Sequence, residues 1–337
     1  MNISEVIVTL GNDDMTFGEP IISSINSILM TAFRAAADFN NDSLLDIVLG
    51  DFYSGNVRVF LGNGDGTFHD IIFIVKDCRD VYVLSVGNLN SDRFLDFAIL
   101  CSLSTYVHIV FGNANGTFAE NASLNIYPDS DLILVQIADF NDDNFEDILV
   151  YDARNWGVNV FLGHGNGSFE TQKISFLRTL LVPISLAIGD FNEDTIQDLI
   201  FTWTLDTDVG GISVAFGYND GTFSVPTYFN LATYPLYASA VRNLNIDGHL
   251  DVLITSNNYE PYSLSIFFGD GNGNFEFYTI FSSETSSLVN SVIAVDLNID
   301  GYRDILAASD FGLYIFLNTG QCNNASEIFE ASTSIHH

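Results

Sequence analysis

One acidic pattern of nine residues returns six times along the 337-residue chain, and this repetition constrains the fold more than any other feature. The pattern reads Asp/Asn-x-Asn-x-Asp-x-x-x-Asp, and successive copies begin 50, 51, 51, 53 and 53 residues apart. Its oxygen-bearing side chains stand at positions one, three, five and nine of six segments, here named loops one to six: Asp38, Asn40, Asp42 and Asp46; Asn88, Asn90, Asp92 and Asp96; Asp139, Asn141, Asp143 and Asp147; Asp190, Asn192, Asp194 and Asp198; Asn243, Asn245, Asp247 and Asp251; Asp296, Asn298, Asp300 and Asp304. A unit that returns at a fixed period of this length indicates a repeat fold.

A second pattern, an apolar residue followed by a Gly-rich turn and a Phe, runs out of phase with the first. It occupies residues 61–68, 111–118, 162–169, 216–223 and 268–275, with a degenerate copy at 10–17 and a truncated one at 317–320. The glycines favour tight hairpin turns, and we expect the closing Phe to pack between neighbouring repeats. A phosphate-binding loop is disfavoured, because neither a helix signal nor a Lys follows these turns.

The segments between the two motifs read as short β-strands. Residues 56–61, 157–162 and 211–216 alternate between apolar and polar positions, and short apolar runs follow the acidic loops. Each repeat of about 51 residues therefore holds about four strands, which is typical of one propeller blade. The sequence predicts an all-β propeller of four-stranded antiparallel blades in a single domain over 1–320, followed by a tail at 321–337. An inventory of 25 strands favours six blades, since seven would leave a terminal blade incomplete.

Charge and composition exclude several classes of protein. The chain carries 43 Asp and Glu against 10 Lys and Arg, for a formal charge of −33, so neither nucleic acid nor an anionic membrane surface is an expected partner. The 13% aromatic content excludes global disorder. No apolar run is long enough to span a membrane, and the first residues do not read as a signal peptide. The chain is thus either cytosolic or part of a longer secreted or anchored protein. Its three cysteines (Cys78, Cys101 and Cys322) allow either one disulfide or none.

The acidic loops have the donor chemistry of a calcium site. Ca²⁺ takes about six to eight oxygen ligands, whereas zinc prefers nitrogen and sulfur and Mg²⁺ rarely has an all-protein cage. The alternative is that Asp and Asn only cap their own backbone in a turn. Loops two and five begin with Asn88 and Asn243 and carry one carboxylate fewer, so up to six Ca²⁺ sites are predicted with these two weaker. Position six should adopt a left-handed backbone, which suits Gly248, Gly301 and Asn144 but not Ser43, Arg93 and Thr195.

Residues 139–147 and 161–169 together resemble the FG-GAP/VCBS repeat family, which builds the propeller of integrin α subunits. The resemblance covers roughly residues 5–320. It implies that the acidic loops bind Ca²⁺ through the side chains at positions one, three, five and nine and through a backbone carbonyl at position seven, which is contributed here by Leu44, Phe94, Phe145, Ile196, His249 and Tyr302. It also implies an extracellular or cell-surface binding or adhesion module that is not an enzyme and has a protein or glycan ligand.

Two other functions stay open on the sequence. One is a lectin with sugar sites between blades, for which the aromatic segments 228–237 and 259–262 are candidates. The other is an accessory propeller of a secreted hydrolase or lyase, or an enzyme with carboxylates at the propeller mouth. The six His are scattered and neither a nucleophile elbow nor a Cys-His pair is visible, so no catalytic residue is predicted. Six Asn-x-Ser/Thr sequons are present, and they add only weak support for secretion.

Overall fold

The structure, a computed structural model, describes residues 4–12, 17–25, 31–51, 55–75, 78, 80–102, 104–126, 130–177, 183–205, 209–231, 236–256, 262–283, 289–309, 312–320 and 328–335. Every named element within these ranges is a β-strand, and the strands form six four-stranded antiparallel sheets and one two-stranded sheet. This confirms the predicted fold class, an all-β propeller of six blades. In each four-stranded sheet the strands follow chain order, and we name them A to D.

The chain divides into two compact units, of which the first comprises Met1–Phe176 and Asp220–Thr222. It begins with a hairpin of β1 (Ser4–Val8) and β2 (Ile21–Ile25). Its first sheet has β3 (Thr31–Ala37), β4 (Asp46–Asp51), β5 (Asn56–Gly62) and β6 (Phe68–Ile74). The second has β7 (Val81–Gly87), β8 (Asp96–Cys101), β9 (Tyr106–Gly112) and β10 (Phe118–Asn125). The third has β11 (Leu132–Ala138), β12 (Asp147–Asp152), β13 (Gly157–Phe161) and β14 (Lys173–Phe176).

The second unit comprises Leu177–Asn219 and Phe223–His337 and holds the remaining three sheets. The fourth sheet has β15 (Pro183–Gly189), β16 (Asp198–Leu205), β17 (Val209–Ala215) and β18 (Thr227–Leu231). The fifth has β19 (Leu236–Arg242), β20 (Asp251–Ser256), β21 (Tyr262–Gly269) and β22 (Phe275–Ser283). The sixth has β23 (Val289–Val295), β24 (Asp304–Ser309), β25 (Gly312–Asn318) and β26 (Phe329–Ile335).

The hydrophobic core lies between consecutive sheets within each unit. The B strands β8 and β12 bury all six of their residues, as the short apolar runs after the acidic loops predict. The closing Phe of two Gly-rich turns packs between sheets as predicted: the ring centroid of Phe118 lies 6.3 Å from that of Phe39 in loop one. In the second unit, Phe275 lies 5.7 Å from Phe191 of loop four. These aromatic contacts join the C–D turns of the second and fifth sheets to the loops of the preceding sheets.

The strand inventory from the sequence was one strand short. The sixth sheet takes its D strand from β26, which lies within residues 321–337, the stretch expected to be a tail. Six sheets are therefore complete without the N-terminal strands, and β1 and β2 form a two-stranded sheet of their own. The degenerate motif at 10–17 joins these two strands, so the hairpin corresponds to strands C and D, and the described residues supply no A or B strand for it.

A disulfide joins Cys78, in the connection between the first and second sheets, to Cys101 at the end of β8. This pairing was left open by the sequence, and Cys322 lies outside the described residues. The aromatic segments 228–237 and 259–262 fall partly outside them as well. No helix of the described ranges has the length and apolarity that crossing a membrane requires.

Candidate metal-binding loops

The six acidic loops are the turns that join strands A and B in the six sheets. Each has two residues in the left-handed backbone region, at positions four and six. Position six is left-handed as predicted, including the unfavourable residues Ser43, Arg93 and Thr195, which have φ angles of 68°, 100° and 74°. Position four was not predicted to be left-handed, and it is occupied by Asn41, Ser91, Asp142, Glu193, Ile246 and Ile299. The two isoleucines are unusual because a β-branched residue is rarely found at positive φ.

The side chain at position one accepts hydrogen bonds from backbone N–H groups in the middle of its own loop. In loop one, Asp38 Oδ1 accepts the N–H of Asp42 at 3.0 Å and Oδ2 accepts the N–H of Ser43 at 2.7 Å. Asp139, Asp190 and Asp296 accept the same pair of N–H groups in loops three, four and six. Asn88 and Asn243 begin loops two and five, and their Oδ1 atoms each accept one N–H.

Positions three and five are joined to each other in every loop. The Asn at position three donates its Nδ2 group to the carboxylate at position five, at 2.8–3.0 Å in all six loops. The other oxygen of that carboxylate accepts the N–H of position seven; in loop one, Leu44 N–H donates to Asp42 Oδ1 at 2.8 Å. In loops one, two, four and six the N–H of position five also lies 3.1 Å from Oδ1 of position three. Side-chain oxygens of positions one and three thus converge on a single N–H.

The Asp at position nine is buried in every loop and is held by two backbone N–H groups. One oxygen accepts the N–H of loop position two, and the other accepts the N–H of a residue at the start of the C–D turn. In loop one these donors are Phe39 and Gly62, each at 2.8 Å. The equivalent aspartates, which are all fully buried, are Asp96, Asp147, Asp198, Asp251 and Asp304. Position nine therefore fastens the loop to the C–D turn of the same sheet.

The position-nine carboxyls have raised pKa values. Burial raises the pKa of Asp147 and of Asp251 to about 7, and that of Asp96 and of Asp198 to about 6. Burial also raises the pKa of Asp46 and of Asp304. The nearby carboxylates of the same loop add to this effect, as Asp143 and Asp139 do for the pKa of Asp147, while the two N–H bonds oppose it. The loops therefore gather negative charge that their own residues do not neutralise.

The side chain at position seven lies over the C–D turn of its own sheet. A Cβ atom added at Gly64 would lie 3.1 Å from the Leu44 side chain, and one added at Gly165 would lie 2.2 Å from Phe145. Both glycines have positive φ, so close approach and backbone conformation both require glycine here. His249 has the same position in loop five and lies against Gly271.

Two acidic side chains link neighbouring loops, and the sequence patterns did not identify them. Glu146, at position eight of loop three, accepts the backbone N–H of Asn88 in loop two, and burial raises the pKa of Glu146. Glu193, at position four of loop four, pairs with Nδ1 of His249 in loop five at 2.5 Å. That hydrogen bond raises the pKa of His249. Both residues lie at positions that the repeat leaves variable, so the pattern carries no signal for them.

The C–D turns are stabilised by an Asp or Asn side chain that the sequence patterns did not identify. Asp65 Oδ1 accepts both the N–H and the hydroxyl of Thr67, at 2.9 and 2.6 Å. Asn115, Asn166 and Asp220 make equivalent bonds in other turns, whereas Asp270 accepts the N–H and the Nδ2 group of Asn274, four residues later. An Asp or Asn two residues before Thr or Ser is a recognisable signal for such a turn. These residues stabilise the C–D turns, and Asp270 also contributes to the raised pKa of His249 in loop five, after the larger effect of the Glu193 hydrogen bond.

The structure therefore brings together positions one, three and five of each loop and gives position nine a separate structural role. Within the described residues, no three His, Cys, Asp or Glu side chains form a group that could hold a metal ion. Position three is Asn in every loop, and the position-nine carboxylate is held by two N–H groups. The donor set at one, three and five is made of oxygen alone, which fits a hard cation such as Ca²⁺. Capping does not prevent binding, because each of these oxygens has more than one lone pair.

Comparison with known proteins agrees with the repeat and the fold. The sequence pattern of FG-GAP-like repeats matches residues 38–99, 139–201 and 243–307. Among solved structures, an Agrocybe aegerita lectin described as recognising non-reducing terminal N-acetylglucosamine superposes with a TM-score of 0.65 at 17% identity, over 98% of this chain and 90% of that chain. No curated protein sequence matches the chain.

Proposed function

The chain belongs to the FG-GAP-like repeat family, and we propose that it is a calcium-stabilised, extracellular binding module that recognises a protein or glycan ligand without catalysis. The observation that carries this proposal is the sixfold recurrence of oxygen-bearing side chains at positions one, three and five of the A–B loops. One turn built this way needs no ligand, since Asp and Asn cap turns in many proteins. Six turns that repeat the same oxygens favour a shared ligand.

Calcium is the cation that these residues suit best. The side chains at positions one, three and five, with the family's backbone carbonyl at position seven, would supply oxygen ligands only. Bound Ca²⁺ would neutralise the loop carboxylates, which otherwise add to the effect of burial in raising the pKa of aspartates such as Asp147. The loops would then favour the folded state, because a cation that binds only the folded chain stabilises it by mass action. The position-nine aspartates remain proposed ligands and would have to keep their two N–H bonds while binding.

An extracellular location is supported by the Cys78–Cys101 disulfide. Disulfides persist in oxidising compartments and are rare in the cytosol. The proposed calcium loops fit this location as well, since Ca²⁺ sites gain occupancy where calcium is abundant. These points favour secretion or surface display over the cytosolic alternative, and a cell-adhesion role of the integrin type is the corresponding proposal.

Glycan binding is the second candidate function, and the likeness to the lectin propeller favours it. At 17% identity that likeness concerns the fold, so the sugar specificity of the lectin does not transfer to this chain. Binding to an array of immobilised glycans, tested with the calcium-loaded chain, would separate a lectin from a protein-binding module. Turnover of a polysaccharide panel would separate both from an accessory of a hydrolase or lyase.

The calcium part of the proposal is tested by thermal unfolding in Ca²⁺ and in excess chelator. We expect the melting temperature to rise with Ca²⁺ concentration and to fall when EDTA is added. Asp42→Asn and Asp300→Asn, both at exposed position-five sites, should each reduce the rise. Asp65→Asn, an exposed carboxylate in a C–D turn, is the matched control and should leave the rise unchanged. A melting temperature that is equal in Ca²⁺ and EDTA would overturn the calcium assignment.

A further inference from the structure

The N-terminal hairpin is an incomplete version of the six sheets. The isolated bridge Gly11–Phe17 matches the bridges Gly163–Phe169 and Gly217–Phe223 of complete C–D turns. The bond from Gly18 N–H to the Leu10 carbonyl, at 2.8 Å, likewise repeats those made by Glu170 and Ser224. Strand β1 is therefore a C strand and β2 a D strand. Among the described residues, β1 pairs only with β2, whereas every other C strand also pairs with a B strand.

Strand β1 has the side chains of a buried C strand. Counting back from the C–D turn, Val6 and Val8 correspond to Val57 and Val59, which are completely buried. Val6 and Val8 are only partly buried, on the face that packs against Leu49 and Phe60 of the first sheet. Within the part of the chain that the structure describes, no strand pairs with the backbone edge where a B strand would lie. An open strand edge offers a row of unpaired N–H and C=O groups to another chain.

The other face of the hairpin carries an exposed apolar pair. Ile7 lies directly opposite Ile22 in the β1–β2 register, and their side chains are 58% and 56% exposed. In the complete sheets, the residue equivalent to Ile7 is polar and buried in five of six cases: Arg58, His108, Asn159, Ser213 and Ser265. The hairpin thus departs from the repeat by placing apolar residues where its surface is most exposed.

We propose that the open edge of β1 binds one extended segment of a partner protein, which adds as a B-like strand and carries apolar residues with Lys or Arg beside them. Strand addition to a sheet edge is an established mode of peptide recognition. The basic character follows from charge: residues 1–30 contain Glu5, Asp13, Asp14 and Glu19 and no Lys, Arg or His. A second copy is disfavoured as the occupant, because it brings the same acidic hairpin and a formal charge of −33.

The test uses the full chain and a fluorescent peptide in which Ile-Val-Leu-Gly, the run at residues 47–50 of β4, is flanked by two lysines on each side. We expect saturable binding with slowed amide hydrogen exchange at residues 4–8. Ile7→Ser should weaken binding about tenfold, since it removes a half-exposed isoleucine from the new contact. Ile293→Ser is the matched control, because Ile293 is 51% exposed on the A strand β23 of a complete sheet. Ile293→Ser should leave binding unchanged.

Further variants and measurements distinguish strand addition to β1 from other modes of binding. Glu5→Lys should weaken peptide binding several-fold and reduce its dependence on salt. A peptide with proline at the central position should fail to bind, because proline cannot donate to a strand ladder. Absence of binding, binding without protection of residues 4–8, or equal loss in Ile7→Ser and Ile293→Ser would overturn the proposal. Sedimentation of the chain alone should show a monomer, and a dimer that Ile7→Ser dissociates would show that a second copy occupies the edge.

Discussion

The Asp147 carboxylate accepts the backbone N–H of Gly163, 16 residues later in the chain, at 2.7 Å. Its other oxygen accepts the N–H of Phe140 at 2.8 Å, so one buried side chain fastens the A–B loop of the third sheet to its C–D turn. The same arrangement recurs in all six sheets. Position nine of the repeat therefore stabilises the blade whether or not a cation is present.

Because its carboxylate accepts two hydrogen bonds, removing the position-nine side chain should lower the free energy of unfolding more than removing the position-five side chain, even without metal. Asp147→Ala leaves two buried N–H groups without an acceptor, and each costs about 1–3 kcal/mol, so the free energy of unfolding in EDTA should fall by about 2–6 kcal/mol. Asp143→Ala, at an exposed position of the same loop, should cost less than about 1 kcal/mol in EDTA. Urea unfolding measures both. Equal losses for the two variants in EDTA would contradict the anchoring role.

The raised pKa values of the buried aspartates set the sign of the pH dependence in chelator. Burial raises the pKa of Asp147 and Asp251 to about 7 and that of Asp96 and Asp198 to about 6, above the ordinary value of 3.8. The folded chain then holds protons that the unfolded chain releases, so stability falls as the pH rises from about 4 to 7. The raised pKa of His249 acts in the same direction.

We therefore expect the melting temperature in EDTA to be higher at pH 5 than at pH 8. Carboxyls with lowered pKa values, such as Asp152 and Asp65, titrate below this window and do not reverse the trend. Saturating Ca²⁺ should remove or invert the difference, because a bound cation favours the ionised carboxylates and is released by acid. A melting temperature in EDTA that increases from pH 5 to pH 8 would rule out the raised pKa values.

The Cys78–Cys101 disulfide should contribute measurably to stability. It closes a loop with a sequence separation of 23 residues. The chain-entropy estimate for a loop of this size is about 3 kcal/mol. Cys78→Ser should lower the free energy of unfolding by about this amount, and adding a reductant should lower it for the native chain and not for the variant. Cys322→Ser is the control and should behave as the native chain. An identical unfolding midpoint for Cys78→Ser and the native chain would contradict this role.

Ile299 is a site where a substitution should stabilise the chain. It lies at position four of loop six with a φ of 60°, and its side chain is 90% exposed, so it gains little from packing. Ile299→Asn should raise the free energy of unfolding by about 1 kcal/mol, because Asn tolerates the left-handed region far better. Ile293→Asn, in the extended strand β23, should instead be destabilising. Thermal unfolding of both variants tests this, and destabilisation by Ile299→Asn would show that the isoleucine makes a needed contact.

Much of the fold could be predicted from the sequence because two motifs shared one period. The spacing of the loops identified four strands per repeat, and the glycine at position six of loops five and six identified the left-handed backbone that Ser43 and Thr195 also adopt. The packing of Phe118 between sheets followed from its place after the turn. Each of these inferences rests on local chemistry that recurs in every copy.

Other features could not be predicted because they depend on contacts between distant segments. The spacing of Asp147 showed that it belonged to the loop, but it did not reveal that Gly163 would supply the N–H. The pairing of Cys78 with Cys101 joins a connection to a strand of the next sheet, so it needs the tertiary structure. Strand β26 was missed because the turn before it is only a truncated copy of the motif.

Whether the acidic loops bind calcium is tested by a calorimetric titration of Ca²⁺ into the chelator-treated chain. Loops one, three, four and six offer three carboxylates each, while loops two and five offer two, so affinity should divide along that line. We expect up to six bound ions per chain, with about four tighter sites and two weaker ones. A titration without saturable binding, or one in which removing Asp92 of loop two abolishes the tightest site, would contradict it.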